Sequence, residues 1–273
     1  MYALFDVGGS KIRVAFSKDG TELGEPKVIP THADDFEKGV RQLGETIQEL
    51  AGGAKIEAVA GGVAGPFNKE RTGLVGGRTL PDWTGKPLKK ELERLVSAPV
   101  SLENDADLAG LGETTYGAGK GYDIVVYMTV STGVGGTRIV QGNIDVSTMG
   151  FEPGKQIIDK GRTLEELVSG SDMEKQSGKK PYEIPQDDPI WEELAVWLAV
   201  GLNNTIVHWS PDIVVLGGSM MTGNPSIPLE GVKRHLKKTL TIFPQPPELA
   251  LAELGDFGGL WGALELVKNN SRD

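Results

Sequence analysis

The fold class that this sequence predicts is α/β, built from two related halves, and three observations carry the prediction. A glycine turn joins two strands at the start of the chain, in MYALFDVGGSKIRVAF, and another joins two strands near its middle, in IVVYMTVSTGVGGTRIV. After each pair, stripes of helical period alternate with short β-branched runs. The 273 residues leave room for two modest lobes, each with its own core.

The opening turn, Asp6-Val7-Gly8-Gly9-Ser10-Lys11, fits neither G-x-G-x-x-G nor the Walker pattern. Residues 12–16 alternate with a β-branched and aromatic bias, so the chain re-enters the sheet. A phosphate there would meet hairpin amides instead of a helix N-terminus. Lys18-Asp19-Gly20 supplies the next turn. Residues 34–50 are predicted to be helical, with Phe36, Val40, Leu43, Ile47 and Leu50 on one stripe, Asp34 and Glu37 as a capping box, and Gly52-Gly53 as the stop. Residues 56–63 read as a strand ending in GGVAGP, 87–96 as a helix, 100–103 as a strand and 105–116 as a helix.

The pattern then starts again. Residues from 123 form a strand, STGVGG a turn, and TRIV a returning strand closed by Gln141-Gly142-Asn143. Helices are expected at 163–176, 189–209, 227–240 and 258–267, with strands at 212–216 and 249–254. Pro181 to Pro189 reads as a surface excursion. The division falls into an N-terminal lobe, 1–116, and a C-terminal lobe, 117–273. The last helix, about 257–273, is expected to pack back on the first lobe, and Gly117 to Gly121 is the hinge candidate.

Bulk properties exclude several classes of function. A formal charge of -10, a pI near 5.0 and no Lys/Arg block longer than two argue against nucleic acid as a partner. The chain has no cysteine, which excludes disulfides, iron-sulfur clusters and thiolate zinc sites. No uninterrupted apolar run reaches membrane-spanning length and no basic leader precedes the first strand, so a soluble cytoplasmic protein without a membrane partner is the expectation. Glycine, 38 of 273 residues, is about twice its usual share and falls in GG pairs, as expected where backbone must approach something closely.

Each turn alone could be a structural hairpin. Two of them facing across a cleft could instead wrap a polyphosphate, using the amides and hydroxyls of Gly8, Gly9, Ser10 and Lys11 and of Ser131, Thr132, Gly133, Gly135 and Gly136. In Ser101-Leu102-Glu103-Asn104-Asp105-Ala106-Asp107, a carboxylate sits where a strand meets a helix. Asn104 or Asp105 could simply cap the helix. Both jobs are compatible, with Asn104 as the cap and Asp105 turned to a substrate. The histidines, 32, 208 and 235, lie outside these motifs, leaving a carboxylate for proton transfer. His208 reads as a packed or capping residue, and Trp191, Trp197 and Trp209 as core or interface.

DVGGSK, GGVAGP, LPDW, LENDADLAGLGE, STGVGG, TLEELVSG and PDIVVLGGSMM, in that order, resemble the ROK (repressor, open reading frame, kinase) sugar kinases of the actin-like ATPase superfamily. The resemblance spans nearly the whole chain. It implies a duplicated ribonuclease H-like fold, two lobes with a central cleft where sugar and nucleotide meet. It also implies ATP and Mg2+ as cofactors. Asp105 would be the base that deprotonates the sugar hydroxyl, with Asn104 on neighbouring hydroxyls and Gly65, in GGVAGP, in the substrate site. Asp6 would face magnesium through water, the two glycine turns would hold phosphates, and Gly217 and Gly218 would let adenosine lie against the backbone.

The sequence departs from the family pattern at several points. Where members carry G-E-x-G-H, this chain has Phe151-Glu152-Pro153-Gly154-Lys155, so Glu152 matches and Lys155 replaces histidine. The zinc-binding cysteines are missing, Thr163 occupies one of their positions, and no zinc is expected. Glu165 fits the second sugar-binding glutamate, although a solvated first helical turn would equally place a glutamate there. Thr79 stands in the place of a usual asparagine. Lys155 is expected to pair with Glu152 or Glu165. The repressor branch carries a winged DNA-binding module before the first turn, so the sequence given points away from repression.

The leading expectation is an ATP-dependent hexose kinase, glucose-like sugars being the default and N-acetylated sugars an alternative. A donor of inorganic polyphosphate is a second reading. A non-catalytic sugar or nucleotide sensor is a third, motivated by Thr79, Lys155 and the missing zinc cluster. An actin-like assembly protein would leave LENDAD and LPDW without a job. The apolar helix bearing the tryptophans serves either as core or as the face of a homodimer.

Overall fold

The computed structural model describes residues 1–270. The chain divides into two compact units, one holding Met1–Thr115, Val146–Gly150 and the chain from Asp256 onward, the other holding Tyr116–Asp145 and Phe151–Gly255. The first unit carries β1 (Tyr2–Val7), β2 (Lys11–Ser17), β3 (Lys27–Pro30), α1 (Phe36–Ala51), β4 (Ala58–Val63), α2 (Leu88–Val96), β5 (Val100–Asn104) and α3 (Asp105–Tyr116). The second carries β6 (Ile124–Val130), β7 (Val134–Val140), β8 (Asn143–Ile144), β9 (Ile157–Asp159), β10 (Arg162–Thr163), α4 (Leu164–Val168), α5 (Gly170–Ser177), α6 (Ile190–Trp209), β11 (Ile213–Gly217), α7 (Ser219–Thr222), α8 (Leu229–Thr239) and β12 (Glu248–Leu251). The chain then returns to the first unit as α9 (Gly258–Asn270).

Each unit has a five-stranded mixed sheet of the same design. The order is β3-β2-β1-β4-β5 in the first and β8-β7-β6-β11-β12 in the second. In both, an antiparallel three-strand meander continues into two parallel strands reached by crossovers. The two glycine hairpins therefore occupy equivalent places in a duplicated plan, the actin-like α/β fold.

Local sequence explains the central strands. In β1, Ala3, Leu4, Phe5 and Val7 are fully buried, as a strand covered on both faces requires. Its neighbour β4 is AVAGGV because the Phe5 ring lies where a side chain at 61 would be: a Cβ on Gly61 would fall 2.2 Å from it. On α1, Phe36, Val40, Leu43 and Ile47 are buried as the stripe predicts, whereas Leu50 is exposed at the helix end. The N-cap is Asp35, which accepts from the Lys38 amide at 3.0 Å, one residue later than the predicted capping box. Gly52 ends the helix at a φ of 57°, in the left-handed region that glycine tolerates.

In the second unit the predicted helix over 163–176 is two helices. Ser169 adopts extended backbone between α4 and α5, and its hydroxyl accepts from the Asp172 amide at 3.2 Å, starting a fresh helix. Met173 falls off the stripe of Leu164, Leu167 and Val168, and Ser169-Gly170-Ser171-Asp172 interrupts it, so the sequence carried a signal of the break. The β9-β10 hairpin was not anticipated; its turn is Lys160-Gly161, both at positive φ. Helix α6 buries Trp191, Leu194, Leu198, Leu202 and Ile206, while Trp197 and Trp209 pack at the margin of the same core. His208 is exposed instead of packed. Among the described residues, no helix is long and apolar enough to cross a membrane.

Candidate active site

In the first unit, β1, β4 and β5 run parallel, and register aligns Asp6 with Gly62 and Gly62 with Glu103. Their carboxyl ends bring together Asp6, Gly65, Asn104 and Asp105, the place where open α/β sheets take ligands. Asn104 is locked. Its amide nitrogen donates to the Gly65 carbonyl at 3.0 Å, and its Oδ1 accepts from the Ala106 amide at 2.8 Å. Gly65 has a φ of 131°, which only glycine adopts without strain. Gly62 lets β4 pass close beneath Asp105, since a Cβ there would sit 3.1 Å from the Asp105 Cα.

Asp105 starts α3, and its Oδ1 accepts from the Ala106 amide at 3.0 Å. Burial pushes its carboxyl up to about 7, and the nearby Asp6 charge adds to the rise. Asp6 is raised to about 6, again by burial, offset by Arg13, whose Nη1 lies 3.3 Å from the Asp6 carboxylate. The other guanidinium nitrogen of Arg13 reaches Asp256 at 3.2 Å. The opening turn is held by the Gly8 amide donating to the Lys11 carbonyl at 3.0 Å and by the Thr31 hydroxyl donating to the Gly8 carbonyl at 2.8 Å. Gly9, Ser10 and Lys11 are exposed. Thr79 packs against this turn: a Cβ on Gly9 would lie 2.8 Å from its methyl.

In the second unit, the Ser131 amide donates to the Gly133 carbonyl at 2.8 Å, closing the turn, and the Gly170 amide donates to the Ser131 carbonyl at 2.7 Å. The hydroxyls of Ser131 and Ser219 are 3.1 Å apart, joining this turn to the end of β11. Gly217 and Gly218 leave no room for side chains; a Cβ on Gly218, at a φ of 84°, would stand 2.3 Å from the Val130 carbonyl oxygen. Gly136 is similarly confined by the Tyr127 carbonyl, at 2.7 Å. Thr132 and Gly135 are reachable from solvent. Gly218→Ala should therefore displace the turn and lower stability by about 1–3 kcal/mol through a strained φ and a steric clash, which thermal melting checks.

Lys155 pairs with Glu165 at 2.5 Å, resolving the expectation of a partner at 152 or 165. The other Glu165 oxygen accepts from the Val134 amide at 3.0 Å. Glu152 instead lines a cavity of about 360 Å3 with Gln156, Asn204, Thr205, His208 and Trp209. So the second unit gathers Ser131 to Gly136, Gly217, Gly218, Lys155 and Glu165, and places Glu152 at the cavity beside α6.

Sequence reasoning missed Arg13, Ser219, and the ion pair of Arg71 with Glu103. Arg13 stands two residues past Lys11 on a strand, the spacing that returns a side chain to the same face as Lys11. Arg71 has no local signal, because its partner is 32 positions away.

The half-buried pair Asp6 and Asp105 suits a hard divalent cation, which would relieve their mutual repulsion. Among the described residues, no group of three or more His, Cys, Asp or Glu could hold an ion outright. Two carboxylates match magnesium, which keeps much of its water and takes phosphate oxygens as ligands.

A sequence profile of the ROK family matches residues 2–270. The chain is 26% identical to the glucokinase of Streptomyces coelicolor, over 96% of each chain. It is also 26% identical to the N-acetyl-D-glucosamine kinase of Escherichia fergusonii, over 96% of this chain and 98% of that one. Among solved structures, the ROK hexokinase from Thermus thermophilus superposes with a TM-score of 0.83 at 26% identity, covering 98% of both chains.

Proposed function

Because the chain belongs to the ROK family, we propose that it is an ATP- and magnesium-dependent kinase that phosphorylates the primary hydroxyl of a hexose. The observation that carries this reading is the half-buried Asp105 carboxylate beside the locked Asn104, at the carboxyl end of a parallel strand. A carboxylate raised to about 7 is a base matched to neutral pH.

In the proposed reaction, Asn104 would orient sugar hydroxyls, and Asp105 would take the proton from the attacking hydroxyl. The sugar oxygen forms its bond to the γ-phosphorus as the bond to the β-phosphate bridging oxygen breaks, leaving ADP. Positioning and charge stabilisation do most of the work in such transfers. Within the first unit, Ser10, Lys11 and the amides of its glycine turn would receive phosphate oxygens; within the second, Thr132 and the amides of its own turn would do so, with Gly217 and Gly218 beside the adenosine. Asp6 would hold magnesium, which would supply positive charge against the phosphate oxygens. The acceptor is proposed to be glucose or a close derivative, in keeping with the glucokinase and N-acetyl-D-glucosamine kinase relatives.

Sugar-dependent ADP release over a panel of hexoses tests the proposal. Turnover with at least one hexose, and none without sugar, is expected. Sugar binding without ADP release for every member would replace the kinase with a sensor.

A further inference from the structure

The Glu165 carboxylate has two partners with different allegiances. One oxygen takes the Lys155 ammonium at 2.5 Å, and the other takes the Val134 backbone amide at 3.0 Å. Val134 is the fourth residue of Ser131-Thr132-Gly133-Val134-Gly135-Gly136, the turn assigned above to phosphate. The carboxylate also fills the space beside Gly133: a Cβ there would meet Glu165 Oε2 at 2.9 Å. Helix α4 fixes this arm from behind. Thr163 and Glu166 form a capping box, so Glu165 stands in a rigid first turn.

Resting on the kinase reading for its functional half, we propose that Lys155 is a positioning residue for the donor turn, acting through Glu165 to hold Gly133 and Val134 in their phosphate-binding shape. The chemistry favours this. Of the two oxygens, the one on Val134 is a charge-assisted acceptor, and its direction is set by the anchor on the other. Histidine at 155, as in the ROK pattern, offers one donor on a flat ring. Lysine offers three donors and a fixed positive charge, so it can hold one Glu165 oxygen while the other accepts from the Val134 amide. A sugar engaging Lys155 or Glu165 would then alter the turn that holds the donor, and the effect is reciprocal.

The test compares Lys155→Met and Lys155→Arg in the full chain. Lys155 is half-exposed, so both variants should fold. Hydrogen exchange without any ligand should quicken several-fold in the peptide spanning 131–136 for Lys155→Met, and stay near wild type for Lys155→Arg. ATP binding measured without sugar should weaken by about three- to fivefold in Lys155→Met, the scale of a partly exposed ion pair, and recover in Lys155→Arg. Unchanged exchange over 131–136 in Lys155→Met overturns the proposal, as does altered exchange with ATP affinity intact. A wild-type chain that binds no ATP would instead sink the kinase reading, and the exchange contrast would still decide whether Lys155 holds the turn.

Discussion

Asp105→Asn is expected to lower sugar-dependent ADP release by about 10²–10⁴-fold, the range removed with a general base, while sugar affinity changes little. Asparagine keeps the shape and can still accept from the Ala106 amide, as Asp105 does at 3.0 Å. What it loses is the ability to take a proton. The same variant should be more stable than the wild type above neutral pH. Asp105 is raised by burial from 3.8 to about 7, so the folded state prefers it protonated. Its contribution to stability is complete below pH 3.8 and is lost as pH rises through about 7. A charge is then held where it is poorly solvated, at a cost of about 2–4 kcal/mol, each pKa unit being worth about 1.4 kcal/mol. Asp105→Asn removes that cost. Its melting temperature should match the wild type near pH 4 and exceed it by several degrees at pH 8. A loss of activity accompanied by a fall in stability at pH 8 would mean that Asp105 is a structural cap and not a base.

A pH profile follows from the same carboxyl. In the wild type, kcat/KM should rise with pH and level off above about 7, where Asp105 is ionised in the free enzyme. Magnesium near Asp6 and Asp105 favours the ionised form, so raising its concentration should move the midpoint to lower pH. A midpoint indifferent to magnesium would separate the base from the metal.

How much of this was legible beforehand depends on how local the signal is. The strand-turn-strand reading of DVGGSK and STGVGG needed only alternation and a glycine pair, and both hairpins lie where that pattern puts them. Asn104 as cap followed from its residue type at a strand-helix junction. By contrast, the break at Ser169 was missed although Met173 lies about half a helical turn off the stripe of Leu164, Leu167 and Val168, and Ser169 with Asp172 is a capping pattern. The β9-β10 hairpin is too short to show alternation. Pairings such as Arg13 with Asp256 join residues far apart in the chain, and only folding specifies them. The glycines divide in the same way: Gly52 was legible as a stop, whereas Gly61 and Gly62 are explained only by the Phe5 ring and the Asp105 backbone beside them.

The Arg71-Glu103 pair carries the other large effect. Arg71 sits at a φ of 52°, and its Nε donates to Glu103 at 2.7 Å, with further bonds to the Asn68 carbonyl at 3.3 Å and the Ser147 hydroxyl at 3.4 Å. Glu103 immediately precedes Asn104. Burial raises its carboxyl from 4.5 to about 7, with Arg71 opposing the rise and Asp107 adding to it. Removing the guanidinium takes away the lowering influence, so in Arg71→Ala the folded-state value must climb above 7. Between pH 4.5 and 7 both folded proteins hold Glu103 largely protonated, and the variant loses the hydrogen bonds of the charged Arg71 guanidinium, together worth about 2–3 kcal/mol. Above pH 7 the wild type ionises against its partner while the variant either stays protonated or strands a buried charge. The gap should therefore widen by about a further 2 kcal/mol or more by pH 9. Denaturant unfolding at pH 6 and pH 9 measures it, and Arg71→Ala combined with Glu103→Gln should close most of the added gap at pH 9. A deficit of equal size at both pH values would show that Arg71 acts through its bonds to Asn68 and Ser147, with the Glu103 charge playing no part.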